Sequence, residues 1–404
     1  MRNIKFALIA VAFLTMTTAC TNSHDTTDTI DTTDTTDNTV VEQKDNLPLD
    51  EIARVLYDKC SNQNNSVACF YLGLAYYNGH RVSRDLSMSA TYFEKACSLG
   101  DSSGCHNLGV LYDEGQGVRQ DFRHANHYYL KACDLNNSSG CFSLGNLYYI
   151  GKGVKQDYNL ASHYYQKACD MNNSSGCFNL GNSYYNGEGV KKDLRQANKY
   201  FLKACDMNNS SGCTNLGTMY DNGEGVKQNY RQANKYYLKA CDLNDGDACK
   251  NLGISYNNGE GVKKDLQQAN KYYLKACDLN NGDGCNNLGR SYYNGKGVKK
   301  DYHQANKYYL KACELGVSDG CNDLGISYNE GQGVRQDSQQ AMYYYRKACD
   351  LKNEMGCYNV GAMYGNGHGV QQNKTTAKWY FGKACDFGDQ EGCDDYRKLN
   401  EQGY

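Results

Sequence analysis

Between Cys69 and Gly392 the chain returns to one frame every 36 residues, nine times, with no insertion or deletion. The unit is clearest at 177–212, CFNLGNSYYNGEGVKKDLRQANKYFLKACDMNNSSG, and others begin at Cys69, Cys105, Cys141, Cys213, Cys249, Cys285, Cys321 and Cys357. A fixed period of this length marks supersecondary units that cannot bury their apolar faces alone and do so by stacking. Function in such a chain is to be sought on surfaces shared along the repeats, not in one globular pocket.

Within the unit, Cys177, Leu180 and Tyr184 fall at i, i+3 and i+7, one face of a first helix, A. Gly181 costs roughly 1 kcal/mol against Ala at mid-helix. Its recurrence at 73, 109, 145, 217, 253, 289, 325 and 361 predicts that a partner helix comes close there. Gly187 stops helix A as a residue tolerant of positive φ. Gly189 and Val190 make the turn, and Asp193 is placed to N-cap a second helix, B, as the Asp or Asn of every other unit is. Leu194, Ala197, Phe201, Ala204 and Cys205 give helix B its apolar stripe. The polar stretch MNNSSG reads as the loop into the next Cys. The fold expected is all-α, a right-handed αα-superhelix of nine repeats over 69–392, forming an elongated, curved rod.

Terminal pieces complete it. Residues 48–68 read as an N-terminal capping helix, with Pro48, the single proline, suited to the first turn. Residues 393–404 read as a C-terminal capping helix A that starts at Cys393, in which Tyr396 and Arg397 replace the usual Leu-Gly. Ahead of the repeats, residues 1–20 read as a signal peptide: Arg2 and Lys5 precede a short apolar run from Phe6 to Leu14, too short to span a bilayer. Residues 21–47 are rich in Thr and Asp, with almost nothing apolar to bury, and read as a disordered tether with a reach of roughly 30 Å.

The cysteines fall at helix ends. Cys97/Cys105, Cys133/Cys141, Cys169/Cys177, Cys205/Cys213, Cys241/Cys249, Cys277/Cys285, Cys313/Cys321, Cys349/Cys357 and Cys385/Cys393 are all C-x7-C, and Cys60/Cys69 has one residue more. Each pair joins the last turn of a helix B to the first turn of the next helix A. In an exported protein, disulfides of short span are the natural reading. Zinc prefers closer spacing and needs four ligands at one point; thiol redox chemistry wants C-x-x-C, which is absent. Of the 21 cysteines, Cys20 is left over. Thr17-Thr18-Ala19-Cys20 resembles a lipoprotein signal with Cys20 as the lipidated residue, although Thr17 stands where such signals carry Leu.

The motif [LV]-G-x-x-Y-x-x-G-x-G-V-x-x-D, followed by A…Y…K-A-C, resembles the Sel1-like repeats, relatives of the tetratricopeptide repeats. The resemblance runs from Cys69 to about Tyr404. With an export signal and one cysteine pair per repeat, the chain is similar to the Helicobacter cysteine-rich proteins, a secreted Sel1-like family. That resemblance implies a penicillin-binding or β-lactamase activity. The residues do not carry it: a serine β-lactamase needs S-x-x-K with S-D-N and K-T-G, and none occurs. His124 and His127 sit at i, i+3 on a helix B without an evident third ligand, so no metal site and no cofactor is expected. The Gly-x-Gly-Val turns lack the strand and the Lys-Ser/Thr of a phosphate loop.

What the repeats offer is a face. On helix A, offsets +1, +5 and +8 from the Cys vary between units, and offset +2 is mostly Asn: Asn107, Asn179, Asn215, Asn251, Asn287 and Asn359. In a tetratricopeptide-like superhelix helix A lines the concave side. A row of amides there could hydrogen-bond a peptide backbone, with variable residues such as Tyr185, Arg290 and Tyr293 reading its side chains. The near-neutral net charge of −2 argues against nucleic acid. The expected protein is an exported scaffold, periplasmic, outer-membrane-anchored or secreted. Its partner would be a peptide or protein, or a β-lactam or peptidoglycan-related ligand, and it would touch a membrane only through a lipid anchor.

Overall fold

The computed structural model describes residues 49–404, and the signal, the tether and Cys20 lie outside the described residues. The described residues form twenty helices and no strand, from Leu49–Ser61 to Gln390–Glu401, alternating as A and B. They divide into two compact units. One comprises the residues up to Gly176 together with Glu188–Val190; the other comprises Cys177–Gly187 and Lys191–Tyr404.

Helix B starts where the sequence places it. Asp85, Asp121, Asp157, Asp193, Asn229, Asp265, Asp301, Asp337 and Asn373 are all N-caps, and Asp265 Oδ1 accepts from the Gln267 and Gln268 amides at 3.0 Å each. Helix A stops on a left-handed glycine: Gly223 has φ +76° and its N–H reaches the Met219 carbonyl. The mid-helix glycine is a close approach. A Cβ on Gly217 would lie 2.6 Å from the Tyr237 ring of the same repeat's helix B.

The loop before each Cys is shorter than MNNSSG suggests. Helix B ends at Asp206 and helix A begins at Ser210, three residues ahead of Cys213. Asn208 takes φ +60°, and Asn209 caps the helix through Oδ1, which accepts from the Gly212 amide at 2.8 Å. Gly212 is therefore inside the first turn and does not end a loop. A side chain there would strike Ala204 Cβ at 2.8 Å.

The same shift corrects both terminal boundaries. The N-terminal helix ends at Ser61, and the first helix A starts at Ser66 behind its cap Asn65, so 48–68 is not one helix. The C-terminal helix does not start at Cys393. It spans Gln390–Glu401, and its cap is Asp389, whose carboxylate oxygens accept from the Glu391 amide at 3.3 Å and the Gly392 amide at 3.1 Å. Cys393 therefore sits at the end of the first turn, bonded to Cys385 across a Cα–Cα distance of 4.5 Å. Cys385 and Cys393 are only half-buried, unlike the half-cystines of the interior pairs. Each interior pair packs on the Ala of the next helix B, as Cys349 and Cys357 do on Ala384. Among the described residues no helix B follows Cys393 to cover it.

The core of each unit is built from the helix A Leu, the helix B Ala and aromatic positions, and the half-cystines. In the second unit Phe201, Leu216, Met219, Tyr237 and Leu252 are buried together. A half-buried tyrosine pair per repeat stacks beside it, as in Tyr220–Tyr236 at 5.7 Å and Tyr256–Tyr272 at 5.5 Å between centroids. Nine of the expected disulfides are formed, with Cα–Cα distances such as 4.5 Å for Cys205–Cys213 and 4.7 Å for Cys60–Cys69. Each closes a loop of about nine residues, worth on the order of 2.5 kcal/mol in the chain-entropy account. Cys169 and Cys177 are disulfide-bonded as well.

A candidate binding recess on helix A

The helix A face is less open than its sequence suggests. Residues at offset +1 pack on the aromatic of their own helix B: Phe178 lies 5.9 Å from Phe201, and Tyr358 lies 5.3 Å from Phe381. Asn107 is 4 % exposed and buried beside His106, so it cannot line an open groove. The cause is that successive helices A press together and cover offset +2 from one side.

The remaining asparagines are half-buried. Several are engaged between repeats: Asn215 Nδ2 donates to Asn182 Oδ1 at 3.3 Å and Asn359 Nδ2 to Asn322 Oδ1 at 2.9 Å. Asn251 hydrogen-bonds Tyr237. The amide row is thus in part a set of inter-repeat ties. Tyr185 is held too, with its hydroxyl donating to Glu224 Oε2 at 2.7 Å and Lys192 over its ring at 5.7 Å.

Arg290 and Tyr293 are brought together. With Asn294, Tyr309, Asp323 and Ile326 they line a recess of about 210 Å³ in the second unit. Arg290 and Tyr293 come from the helix Gly282–Asn294, Tyr309 from Tyr302–Glu314, and Asp323 and Ile326 from Ser318–Glu330. Arg290 Nε donates to Asp323 Oδ2 at 2.9 Å and Nη2 to Asp319 Oδ2 at 3.0 Å. Asp319 is fixed further by the Asn353 amide at 2.9 Å. Tyr293 leans on Tyr302 at 5.1 Å and on Tyr309 at 6.5 Å.

Burial raises the Asp323 carboxyl above the ordinary carboxylate range, against the pull of Arg290. Burial also works against the Arg290 charge, and the Asp323 and Asp319 carboxylates more than restore it. Burial pushes the Tyr309 hydroxyl well up, so it stays a neutral donor. One guanidinium faces two carboxylates beside two aromatic rings, and Lys300 lies over the Tyr293 ring at 5.9 Å. That combination suits a cationic side chain, through ion pairing and cation–π contact.

Asp319, Asp323 and Tyr309 are absent from the sequence reading. The signal for Asp323 is its departure from the frame: among the nine repeats it is the one carboxylate in a column that holds Tyr71 in the first and then Asn107, Ser143, Asn179, Asn215, Asn251, Asn287 and Asn359. Arg290 stands in a variable column, with Asn182, Thr218, Ile254 and Ile326 at the same offset. His124 serves its helix start, with Nδ1 2.9 Å from Asp121 Oδ2, and His127 packs edge-on to Tyr128. Among the described residues no group of three or more His, Cys, Asp or Glu is arranged to hold a metal ion.

The Sel1 repeat profile matches residues 66–101, 102–137, 138–173, 174–209, 210–245, 246–281, 282–317, 318–353 and 355–389. Its phase agrees with the helix starts, three residues ahead of the cysteines. Among solved structures, the chain is similar to c5321, a protective antigen present in uropathogenic Escherichia coli strains that displays an SLR fold. The TM-score is 0.59 and the identity 25 %, covering 88 % of this chain and 87 % of that one. It is also similar to a Sel1 repeat protein from Oxalobacter formigenes, at TM-score 0.56 and 33 % identity, over 61 % of this chain and 99 % of that one. Helicobacter pylori cysteine rich protein B is 47 % identical over 33 % of this chain and 97 % of its own, with a TM-score of 0.29. No curated protein matches the chain.

Proposed function

The chain belongs to the Sel1 repeat family, and from that premise we propose that it is an exported interaction scaffold whose helix A face captures a peptide or protein through the recess at Arg290. The observation that carries the proposal is that Asp323, the one carboxylate of its column, meets Arg290 of the preceding repeat around one cavity. The half-buried amides at the same offset of other repeats, Asn251 and Asn287, would hold the backbone of the captured segment, as would Asn215 and Asn359 where their ties to neighbouring repeats leave the amide oxygen available.

Disulfide-bonded cysteines at repeat spacing indicate an oxidising location outside the cytoplasm. Among the described residues no helix is long and apolar enough to cross a membrane. Attachment through Cys20 is the anchor proposed here. The hydrolase implied by the resemblance needs an activated nucleophile, and the recess is lined by no serine, cysteine or histidine.

The test is selection from a random peptide display library on the oxidised chain. Enriched peptides should carry a Lys or Arg flanked by apolar residues and should lose binding when Tyr293 and Tyr309 are both changed to Ala. Failure to enrich any sequence, or enrichment indifferent to those two rings, would remove the recess from the account.

A further inference from the structure

The opposite ends of the helices A carry a second surface. Offset +14 from the Cys holds Lys191, Lys227, Lys263, Lys299 and Arg335 in five successive repeats of the second unit. All five are exposed, and among the described residues none has an ion pair or a hydrogen bond to its side chain. Some other lysines of the second unit are engaged. Lys239 reaches the Cys205 carbonyl at 2.6 Å, Lys275 pairs with Asp242 at 3.2 Å, and Lys250 lies between Asp247 and Asp283.

The five cations lie on one continuous edge. Each A–B turn rests on the start of the preceding repeat's helix B. A side chain at Gly261 would strike Tyr230, one at Gly297 would strike Leu266, and one at Gly333 would strike Tyr302. Asn234, Asn270 and Asn306 donate across these junctions to the carbonyls of Glu260, Lys296 and Gln332 at 2.7, 2.7 and 2.6 Å. Packing at roughly 8–10 Å between helix axes sets successive cations on the order of 10 Å apart. The acidic residues of these turns have local partners: Glu224 accepts from Tyr185 and Asn222, and Glu260 from Asn258.

Between the cations lie shallow recesses. One of about 670 Å³ is lined by Tyr256, Lys263, Lys264 and Asp265 among others; another of about 490 Å³ is lined by Tyr328, Arg335, Asp337 and His303 among others. Each capping carboxylate uses Oδ1 for helix amides, so Oδ2 is left to accept from hydroxyls.

We propose that this edge binds a linear anionic polysaccharide, with acidic groups on the cations and sugar rings seated against the tyrosines. The free Oδ2 in each recess can accept from the hydroxyls of a sugar ring, donors that the phosphodiester backbone of DNA lacks. The row of like charges would also draw a polyanion in from solution, with an affinity that falls as salt rises.

The test measures binding of an oligogalacturonate to the oxidised chain, beside an uncharged maltooligosaccharide and a single-stranded DNA oligonucleotide of similar length. The variant carries Lys191→Gln, Lys227→Gln, Lys263→Gln, Lys299→Gln and Arg335→Gln. Exposed ion pairs are each worth about a factor of two to four, so the variant should bind the oligogalacturonate on the order of a hundredfold more weakly. A second variant with the four lysines changed to Arg keeps the charge and should bind as the native chain does, which separates lost recognition from lost folding. Unchanged binding by the Gln variant, or equal binding of the uncharged oligosaccharide, overturns the proposal. Preferential binding of the DNA overturns the assignment to a polysaccharide.

Discussion

Two glycine-to-alanine changes should move stability in opposite directions. At Gly253 a Cβ would lie 2.6 Å from both Tyr273 Cδ1 and Cε1 and 3.2 Å from the Ala269 carbonyl oxygen. Carbon atoms rest at roughly 3.5–4.0 Å, so the ring must retreat by about 1 Å, and Tyr273 is buried. Overpacking of this kind costs about 1–3 kcal/mol, and the better helix propensity of Ala returns roughly 1 kcal/mol. Gly253→Ala should therefore be net destabilising, by up to about 2 kcal/mol. At Gly365 the nearest atom to a new Cβ is Ala377 Cβ at 3.7 Å, an ordinary contact. Gly365→Ala should stabilise its helix by about 0.5 kcal/mol. Repeat arrays need not unfold as one body, so the assay is hydrogen exchange of helices Gly246–Asn258 and Glu354–Asn366 with disulfides intact. In a Tyr273→Ala background the cost of Gly253→Ala should vanish, giving a coupling energy of about 1–3 kcal/mol. If both variants shift exchange in the same direction, or the cost survives removal of the ring, close approach is not why these glycines recur.

Non-reducing peptide mapping of the mature protein should find every link between sequence neighbours, Cys169–Cys177 among them, and long-range links or free thiols there would contradict the repeat-by-repeat pairing. Burial holds His106, 6 % exposed, down at about 4. The unfolded chain takes up this proton first, so the stability from the neutral ring is complete above about pH 6.5 and is lost as pH falls through about 4, about 3 kcal/mol in all. His106→Asn, the residue already present at 286 and 322, should flatten that part of the denaturation midpoint against pH, and an unchanged curve would exclude His106 as its source. Cys20→Ser should move the protein from the membrane to the soluble fraction, whereas native protein already soluble and unlipidated would point to ordinary signal cleavage.

The frame of the fold was legible because it is written nine times. The N-capping Asp or Asn, the left-handed Gly after helix A and the Gly facing an aromatic are local rules, and repetition separates them from chance. The start of helix A was misread because SSG looks like a loop, while Asn209 capping and the space limit against Ala204 make it a first turn. The last helix was placed three residues late, at Cys393, for the same reason: its cap is Asp389, and a Cβ on Gly392 would strike Ala384. The binding face was half legible. Offset counting finds Arg290 and Tyr293 but treats helix A as if its outer side were free. Contact between successive helices A buries Asn107 and ties Asn215 and Asn359, which only inter-repeat geometry reveals. Asp319 and Asp323 come from the following repeat and were missed because offset counting stays within one unit.

The central claim is that the recess at Arg290 takes a cationic side chain of a captured peptide. It is tested most directly by the affinity of a display-selected peptide for Asp323→Asn. Asn is the frame's own residue at this offset, so the helix should keep its packing. The Asp323 carboxyl is held above its unfolded range by burial; its ionised form is disfavoured by folding, and that cost grows as pH rises through the folded value. Its replacement should not lower stability at neutral pH. Removing the Asp323 charge should weaken the peptide by about tenfold or more. Equal affinity for the native chain and for Asp323→Asn would contradict the account.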